Sequence, residues 1–281
     1  DDPFFLLRHH RGLSHSLLAA PVLAAVVAAG VWLINRKRPP GWLFLAALAG
    51  VLCQIVPDLL TSYGTMILEP LSDRRFALDW IFILDPYFAA IVLVTLVVSW
   101  RRMRRDKPWR GIALRGMAVL GIYVLMLGAF HDMAMDRLRE ELKARGLGAD
   151  DVGRVACLPV PLVPVAWNAL YSAADGSEVA RGVVWVLRSE GTIRFHRVGS
   201  VTDSDAVRAF AESRRGRIYL WFARFPVISE KDVGDGRTVV EAYDERFRTW
   251  LPLVGRTERT PFRVRAVVGA DGKVASVELK D

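Results

Sequence analysis

Cysteine is scarce in this chain: two residues in 281, Cys53 and Cys157. One falls in a long apolar stretch and the other far beyond it, so no bridge between them is expected, and no cysteine cluster has zinc-site spacing. No internal repeat is visible. Polar punctuation is missing too, in four windows of the first 130 positions: Ser16–Ile34, Trp42–Leu60, Trp80–Trp100 and Ile112–Phe130. That last absence excludes most. Soluble helices rarely stay apolar on every face for so long, so four buried helices of a soluble bundle are a poor reading. A secretory signal is not expected either, because the first run is too long and no small-residue cleavage site ends it.

What is present fits a bilayer. Apolar residues make up 52% of the chain and mean hydropathy is +0.25. Each window holds about 20 residues, and at about 1.5 Å per residue each reaches across a hydrocarbon core of about 30 Å. The expected architecture is an α-helical membrane domain of four transmembrane helices over 1–150, followed by a soluble β-rich α+β domain over 151–281. The formal net charge of +8 reads first as a topology signal. Arg36, Lys37 and Arg38 come after the first window, and Arg101, Arg102, Arg104, Arg105, Lys107 and Arg110 after the third. The opposite ends carry only Arg8, Arg11, Arg74 and Arg75. Short basic loops stay in the cytoplasm. The chain start, the 61–79 loop and everything after His131 then face outward. Nucleic acid is not an expected partner, because the basic residues flank spans and do not line an aromatic-studded groove.

Beyond the membrane the periodicity changes. His131–Arg145 is charged and helical in pattern, with Gly146-Leu147-Gly148 as its stop. A proline-rich connector over Pro159–Pro164 leads to short runs of strand character: Gly182–Arg188, Thr192–Val198, Arg217–Arg224, Arg237–Tyr243, Phe262–Val268 and Lys273–Leu279. One helix, Ser204–Arg214, interrupts them. This domain shows no chemical motif; His196 stands alone.

Chemistry-bearing residues gather instead at the outward ends of the spans. His9-His10-Arg11-Gly12-Leu13-Ser14-His15-Ser16 precedes the first. Gln54, Pro57, Asp58 and Thr61-Ser62-Tyr63-Gly64-Thr65 end the second, Asp85-Pro86 lies about one turn inside the third, and His131, Asp132 and Asp136 end the fourth. Ionisable groups at a bilayer are costly, which makes each a functional candidate. Histidine with carboxylate is a ligand set for zinc, manganese or iron. Each group also has a plainer reading: His9 and His10 at the lipid headgroups, Asp58 as a helix cap, Thr61–Thr65 as a turn.

The motifs His10-Arg11-Gly12-Leu13-Ser14-His15-Ser16, Asp58 with Thr61-Ser62-Tyr63-Gly64-Thr65, Pro70-Leu71-Ser72-Asp73-Arg74-Arg75-Phe76 and Asp85-Pro86 resemble the bacterial family of membrane-bound metal-dependent hydrolases. That family, also called inner-membrane-associated hydrolases, is distantly linked to zinc phospholipase C and P1 nuclease. The resemblance covers residues 4 to about 136, and Pro159–Trp167 with the domain beyond it looks similar to the longer members. It implies His10, His15, Asp58 and His131 as metal ligands with Asp85 beside them. It also implies zinc as cofactor, with manganese or magnesium as alternatives, and a bacterial inner-membrane location. Two departures stand out. The family usually has a histidine where this chain has Gln54, and a further histidine and an aspartate pair in a segment preceding the matched one.

The chemistry expected of such a site is hydrolytic. A divalent metal would polarise a phosphoryl or acyl oxygen and acidify a bound water. Asp58 or Asp85 would orient or deprotonate that water, and Arg11, Ser62 and Tyr63 would hold an anionic group. A site at the membrane surface suggests a membrane lipid or lipid-linked phosphoester. The rival reading is a non-catalytic membrane protein whose outer domain binds a partner. A cation or proton carrier ranks below both, since carriers place charge near mid-span and only Arg115 lies deep on the inner side.

The charge pattern makes a direct prediction. In a cysteine-free background, a membrane-impermeant thiol reagent applied to intact cells labels Gly191→Cys and misses Arg104→Cys. The reverse pattern would sink the orientation.

Overall fold

The structure, a computed structural model, describes residues 2–188, 192–248, 250–251, 255–256 and 260–280; Gly191 lies outside them. The chain forms two compact units, Asp1–Asp79 and Trp80–Asp281.

The first unit starts with α1 (Pro3–His9) and a 3-10 turn at Leu13–His15, which bend by 75° into α2 (Ala20–Ile34). A second long helix, α3 (Pro40–Leu60), packs against α2. Their contact is close because α2 buries a stripe of small residues, Ala20, Ala24 and Ala28, one helical turn apart. The flanks that face away are apolar, with Val22, Val26, Leu33 and Leu45 exposed. A loop then returns through the cis Glu69–Pro70 peptide and a bridge between Thr65 and Phe76.

The second unit opens with α4 (Pro86–Met103) and α5 (Arg110–Ala144). No residue of α4 is buried, and Leu93, Val94 and Leu96 are each about 60% exposed. Such a helix leaves most of its apolar surface uncovered by protein, an exposure that water would penalise, so its solvent is lipid. Among the described residues, three helices are long and apolar enough to cross a membrane, or four if the bent pair counts as one span. The expected third span begins six residues late, at Pro86. Proline disfavours a helical conformation in the residue before it, and Asp85 turns that boundary into a cap by accepting from Phe88 N at 2.8 Å. Helices α4 and α5 meet closely at Gly116, where a β-carbon would fall 2.1 Å from Thr95 Oγ1.

The expected fourth span and the charged helix after it are one element. α5 runs 35 residues, about 52 Å at 1.5 Å each. Its apolar first half faces lipid, and its second half enters the core of a sheet. That sheet is the antiparallel meander β1 (Val152–Val160), β2 (Val163–Ala173), β3 (Val179–Trp185) and β4 (His196–Gly199). Because successive strand residues point to opposite faces, it serves two cores. Cys157, Trp167, Ala169, Tyr171, Ala180 and Val184 pack on Ala134, Leu138 and Leu142 of α5. Ala156, Leu158, Leu170 and Val179 pack on Phe225 and Val227.

Phe225 and Val227 lead into the second sheet. After α6 (Asp205–Glu212) and α7 (Arg214–Phe222) come β5 (Pro226–Gly234) and β6 (Arg237–Asp244). A 3-10 turn at Glu245–Phe247 and the two-residue pair β7 (Trp250–Leu251) and β8 (Gly255–Arg256) come next, then β9 (Arg263–Val268) and β10 (Val274–Lys280). The order is β10-β9-β6-β5. Asp244 pins the α7–β5 link: its carboxylate accepts from Arg224 N at 2.8 Å and from Arg246 Nε at 2.7 Å. The pair is almost inaccessible to solvent, and its multiple hydrogen bonds are what make that burial tolerable.

The expected strand at Arg217–Arg224 is helix α7. Ser213 caps it by accepting from Gly216 N at 3.0 Å, and Tyr219 and Phe222 share a buried face at helical spacing. The expected proline-rich connector is the end of β1, a turn and the start of β2.

Because α5 passes from lipid into a protein core, the same substitution should act differently along it. Leu138→Ala removes a fully buried side chain and is expected to cost about 2–5 kcal/mol. Leu125→Ala, on a lipid-facing position, is expected to stay within about 0.5 kcal/mol. Denaturant unfolding of the detergent-solubilised chain measures both; equal losses would contradict the division.

Candidate functional site

The first unit brings three of the residues singled out by sequence into direct contact. His15 comes after Gly12, where a β-carbon would meet His9 O at 2.8 Å, so only glycine lets the chain turn this tightly. Asp58 lies in the last turn of α3, just after the in-helix Pro57. His15 Nε2 is 3.0 Å from Asp58 Oδ2. The Gln54 side-chain amide, one turn earlier on α3, is 2.9 Å from the same His15 nitrogen. On its other side His15 Nδ1 meets Ser14 Oγ at 2.9 Å.

Arg11 completes the cluster. Its guanidinium pairs with Asp58 Oδ1 at 2.9 Å and donates to Thr61 Oγ1 at 2.7 Å and to Asp58 O at 3.2 Å. It is 6% exposed and sits at φ +58, a left-handed backbone that a non-glycine residue adopts at a cost. Arg11 is thus spent on the end of α3, where a cation satisfies terminal carbonyls and the helix dipole. Tyr63 lies against it, with the guanidinium carbon 4.9 Å from the ring centroid. His10 makes an edge contact with the same ring, centroids 5.2 Å apart. Ser62 is half-buried beside Tyr63.

Thr61 and Arg75 belong to this cluster although the residue pattern did not single out their roles. Arg75 donates to Gly64 O at 2.9 Å, Leu7 O at 2.9 Å and His10 O at 3.0 Å, stitching the chain start to the 61–79 loop. The signal was the Arg74-Arg75 pair within the Pro70–Phe76 motif, whose second arginine has three backbone acceptors.

Asp85 and His131 lie in the second unit, each with local partners. Asp85 caps α4 and accepts from the Tyr123 hydroxyl at 3.1 and 2.9 Å. His131 sets its ring against Trp167, centroids 5.4 Å apart, and its Nδ1 is 3.4 Å from Asp132 Oδ1. In the sheet domain, burial and then a hydrogen bond to Glu178 push the Tyr171 hydroxyl up to about 12, which keeps it a protonated structural phenol at neutral pH. Among the described residues, no group of three or more His, Cys, Asp and Glu side chains is arranged to hold a metal ion. The structure joins His15 and Asp58 from the expected ligand set and places His10 on Tyr63.

Comparisons with known proteins bear on the membrane half. Residues 1–134 match the family described as YdjM inner membrane protein. The chain is also similar to the uncharacterized protein YfhP of Bacillus subtilis (strain 168), 23% identical over 249 residues, which is 86% of this chain and 70% of that protein. No solved structure matches. Together with the lipid-facing helices, the family match makes this a membrane protein.

The clamp on Asp58 is testable by a double-mutant cycle. Asp58→Asn strips the counter-charge from Arg11, whose side chain is 7% exposed, and is expected to cost about 3–5 kcal/mol. Adding Arg11→Met should recover part of that loss. Strictly additive losses would show that the pair carries no coupling.

Proposed function

We propose that this chain is a metal-dependent hydrolase of the bacterial inner membrane, acting at its outer face on a phosphoester or a lipid-linked substrate. One observation carries the reading: His15 and Asp58, drawn from two distant segments, bring an imidazole nitrogen and a carboxylate oxygen together at the end of α3, with the Gln54 amide nitrogen 2.9 Å from that imidazole nitrogen. An imidazole and a carboxylate oxygen 3.0 Å apart are close to the separation of two ligands on one zinc or manganese ion. The donor types of His15 and Asp58 fit such an ion, and a Gln54 amide turned to present its oxygen would suit a harder cation such as magnesium. The pair His15 and Asp58 would hold the metal, which supplies an acidified water and a polarised substrate oxygen when bound.

The remaining work falls to the chain. Arg11 holds Asp58 Oδ1 and so fixes the direction of Oδ2. Asp58 would orient the attacking water and take its proton, and that proton would pass to the leaving oxygen as the ester bond breaks, so that a neutral alcohol departs. Ser14 fixes the His15 ring from behind through Nδ1, as partners of metal-bound histidines do.

A second reading has its own support. Arg11 is buried, strained and bonded to Asp58 twice, as in a structural latch, which suits a non-catalytic membrane protein whose sheet domain binds a partner. Metal analysis of the purified full chain separates the two. The hydrolase reading expects bound zinc or manganese that is lost in His15→Ala and held more tightly in Gln54→His, with hydrolysis of bis(p-nitrophenyl) phosphate tracking metal content. Metal content unchanged by both substitutions would leave only the latch.

A further inference from the structure

The turn joining β1 to β2 lacks the chemistry of its neighbours. Three other hairpin turns of the same domain are built from Asp175-Gly176-Ser177, Asp235-Gly236 and Asp271-Gly272, the polar and glycine residues that water-exposed turns use. The β1–β2 tip reads Pro159-Val160-Pro161-Leu162-Val163-Pro164, six residues without one polar side chain. At its apex Leu162 has φ +66 and is 57% exposed. A left-handed leucine costs about 1–2 kcal/mol, and an exposed one gains nothing from water in return.

Its position explains the choice. The Tyr87 hydroxyl, on the second residue of lipid-facing α4, donates to Leu162 O at 3.1 Å. Leu127, three residues inside the apolar window that ends at Phe130, is only 2% exposed. It lines a narrow gap with Tyr87, Val160, Leu162 and Val163. The tip therefore reaches past the end of the apolar stretch of α5, to a depth where neighbouring helices meet acyl chains.

The rim around it agrees. Trp185 pairs with Ala166 near the start of β2, so the end of β3 lies at the same edge of the sheet. Leu187, just beyond, is 68% exposed, and Ile83 and Leu84, just before α4, are 57% and 78% exposed. The Arg188 guanidinium stacks on Trp185, 4.9 Å from the ring centroid. Apolar tips backed by a tryptophan and an arginine are the composition of a membrane interface.

We propose that the β1–β2 tip is inserted into the bilayer that the chain spans, with Leu162 among the acyl chains, so that the sheet domain is seated on the lipid surface. The insertion rests on the lipid-facing helices alone and is independent of any hydrolase activity. It gives the exposed leucine a solvent in which its exposure is favourable.

The test uses the full chain in phosphatidylcholine–phosphatidylglycerol vesicles, in a cysteine-free background. Leu162→Cys and, as a second reporter on the rim, Leu187→Cys carry a polarity-sensitive fluorophore; Gly236→Cys at a polar turn is the control. Lipids bearing a nitroxide on the acyl chain should quench most of the emission from position 162, and a large part of that from 187, while leaving 236 bright. Quenching of 187 with loss of the Leu162→Cys protein to misfolding would still support a seated edge. Two outcomes overturn the proposal. One is emission from 162 and 187 as resistant to quenching as that from 236. The other is efficient disulfide formation between Leu162→Cys copies without quenching, which makes a second chain the occupant.

Discussion

The second unit depends on one covalent fact: α5 does not end at the membrane. A helix that starts beside the basic Arg101–Arg110 loop and ends under a sheet fixes the tilt and height of everything packed on it. Ala134, Leu138 and Leu142 present one face to β1, β2 and β3, and with that contact set, the β1–β2 tip must lie alongside Leu127. The same helix supplies Tyr123 to the cap of α4 and Gly116 to its closest approach. Backbone continuity costs no loop entropy, so the attachment is stiff without needing a large interface.

In the first unit the corresponding constraint is the end of α3. Pro57 has no N–H to give, and the last carbonyls of a helix have no partners within it. Asp58 O is met three times, by Thr61 N at 3.3 Å, Thr61 Oγ1 at 2.9 Å and Arg11 at 3.2 Å. Closing the helix and placing the Asp58 carboxylate are therefore one event, performed by a residue from the chain start. Met66 N returns the connection by donating to Arg11 O at 3.0 Å. The strained backbone at Arg11 is the cost of reaching both partners at once.

The membrane half was legible because lipid imposes a coarse rule: an apolar run of about 20 residues on all faces has few other uses. Helix ends were less so, since Pro86 and Asp85 overrode an apolar pattern that continued upstream. In the sheet domain, strands with one wet face, such as β6, β9 and β10, were readable from alternation. β1 and β2 are buried on both faces, one against α5 and one against the second sheet, so their sequence does not alternate and their prolines resembled a linker. Arg217–Arg224 misled because Tyr219, Trp221 and Phe222 favour strands by composition, while the capping Ser213 and a core on one face made a helix. Of the site, residue types and clustering could be read. The pairing of Arg11 with Asp58 could not, because it requires a positive φ at Arg11 that no periodicity announces.

Charge decides what the cluster can accept. Arg11 offsets Asp58, and a neutral His15 adds nothing, so the contacts at Asp58 sum to no net charge. A divalent cation arriving there would bring uncompensated positive charge to the edge of a low-dielectric layer, where desolvation is costly. Two things can balance it: a further carboxylate, as the aspartate pair of the resembled family would provide, or an anion bound with the metal. A phosphoester is such an anion. In the proposed hydrolase, metal and substrate would then stabilise one another at this point, and a ligand that carries phosphate would be favoured over a neutral one.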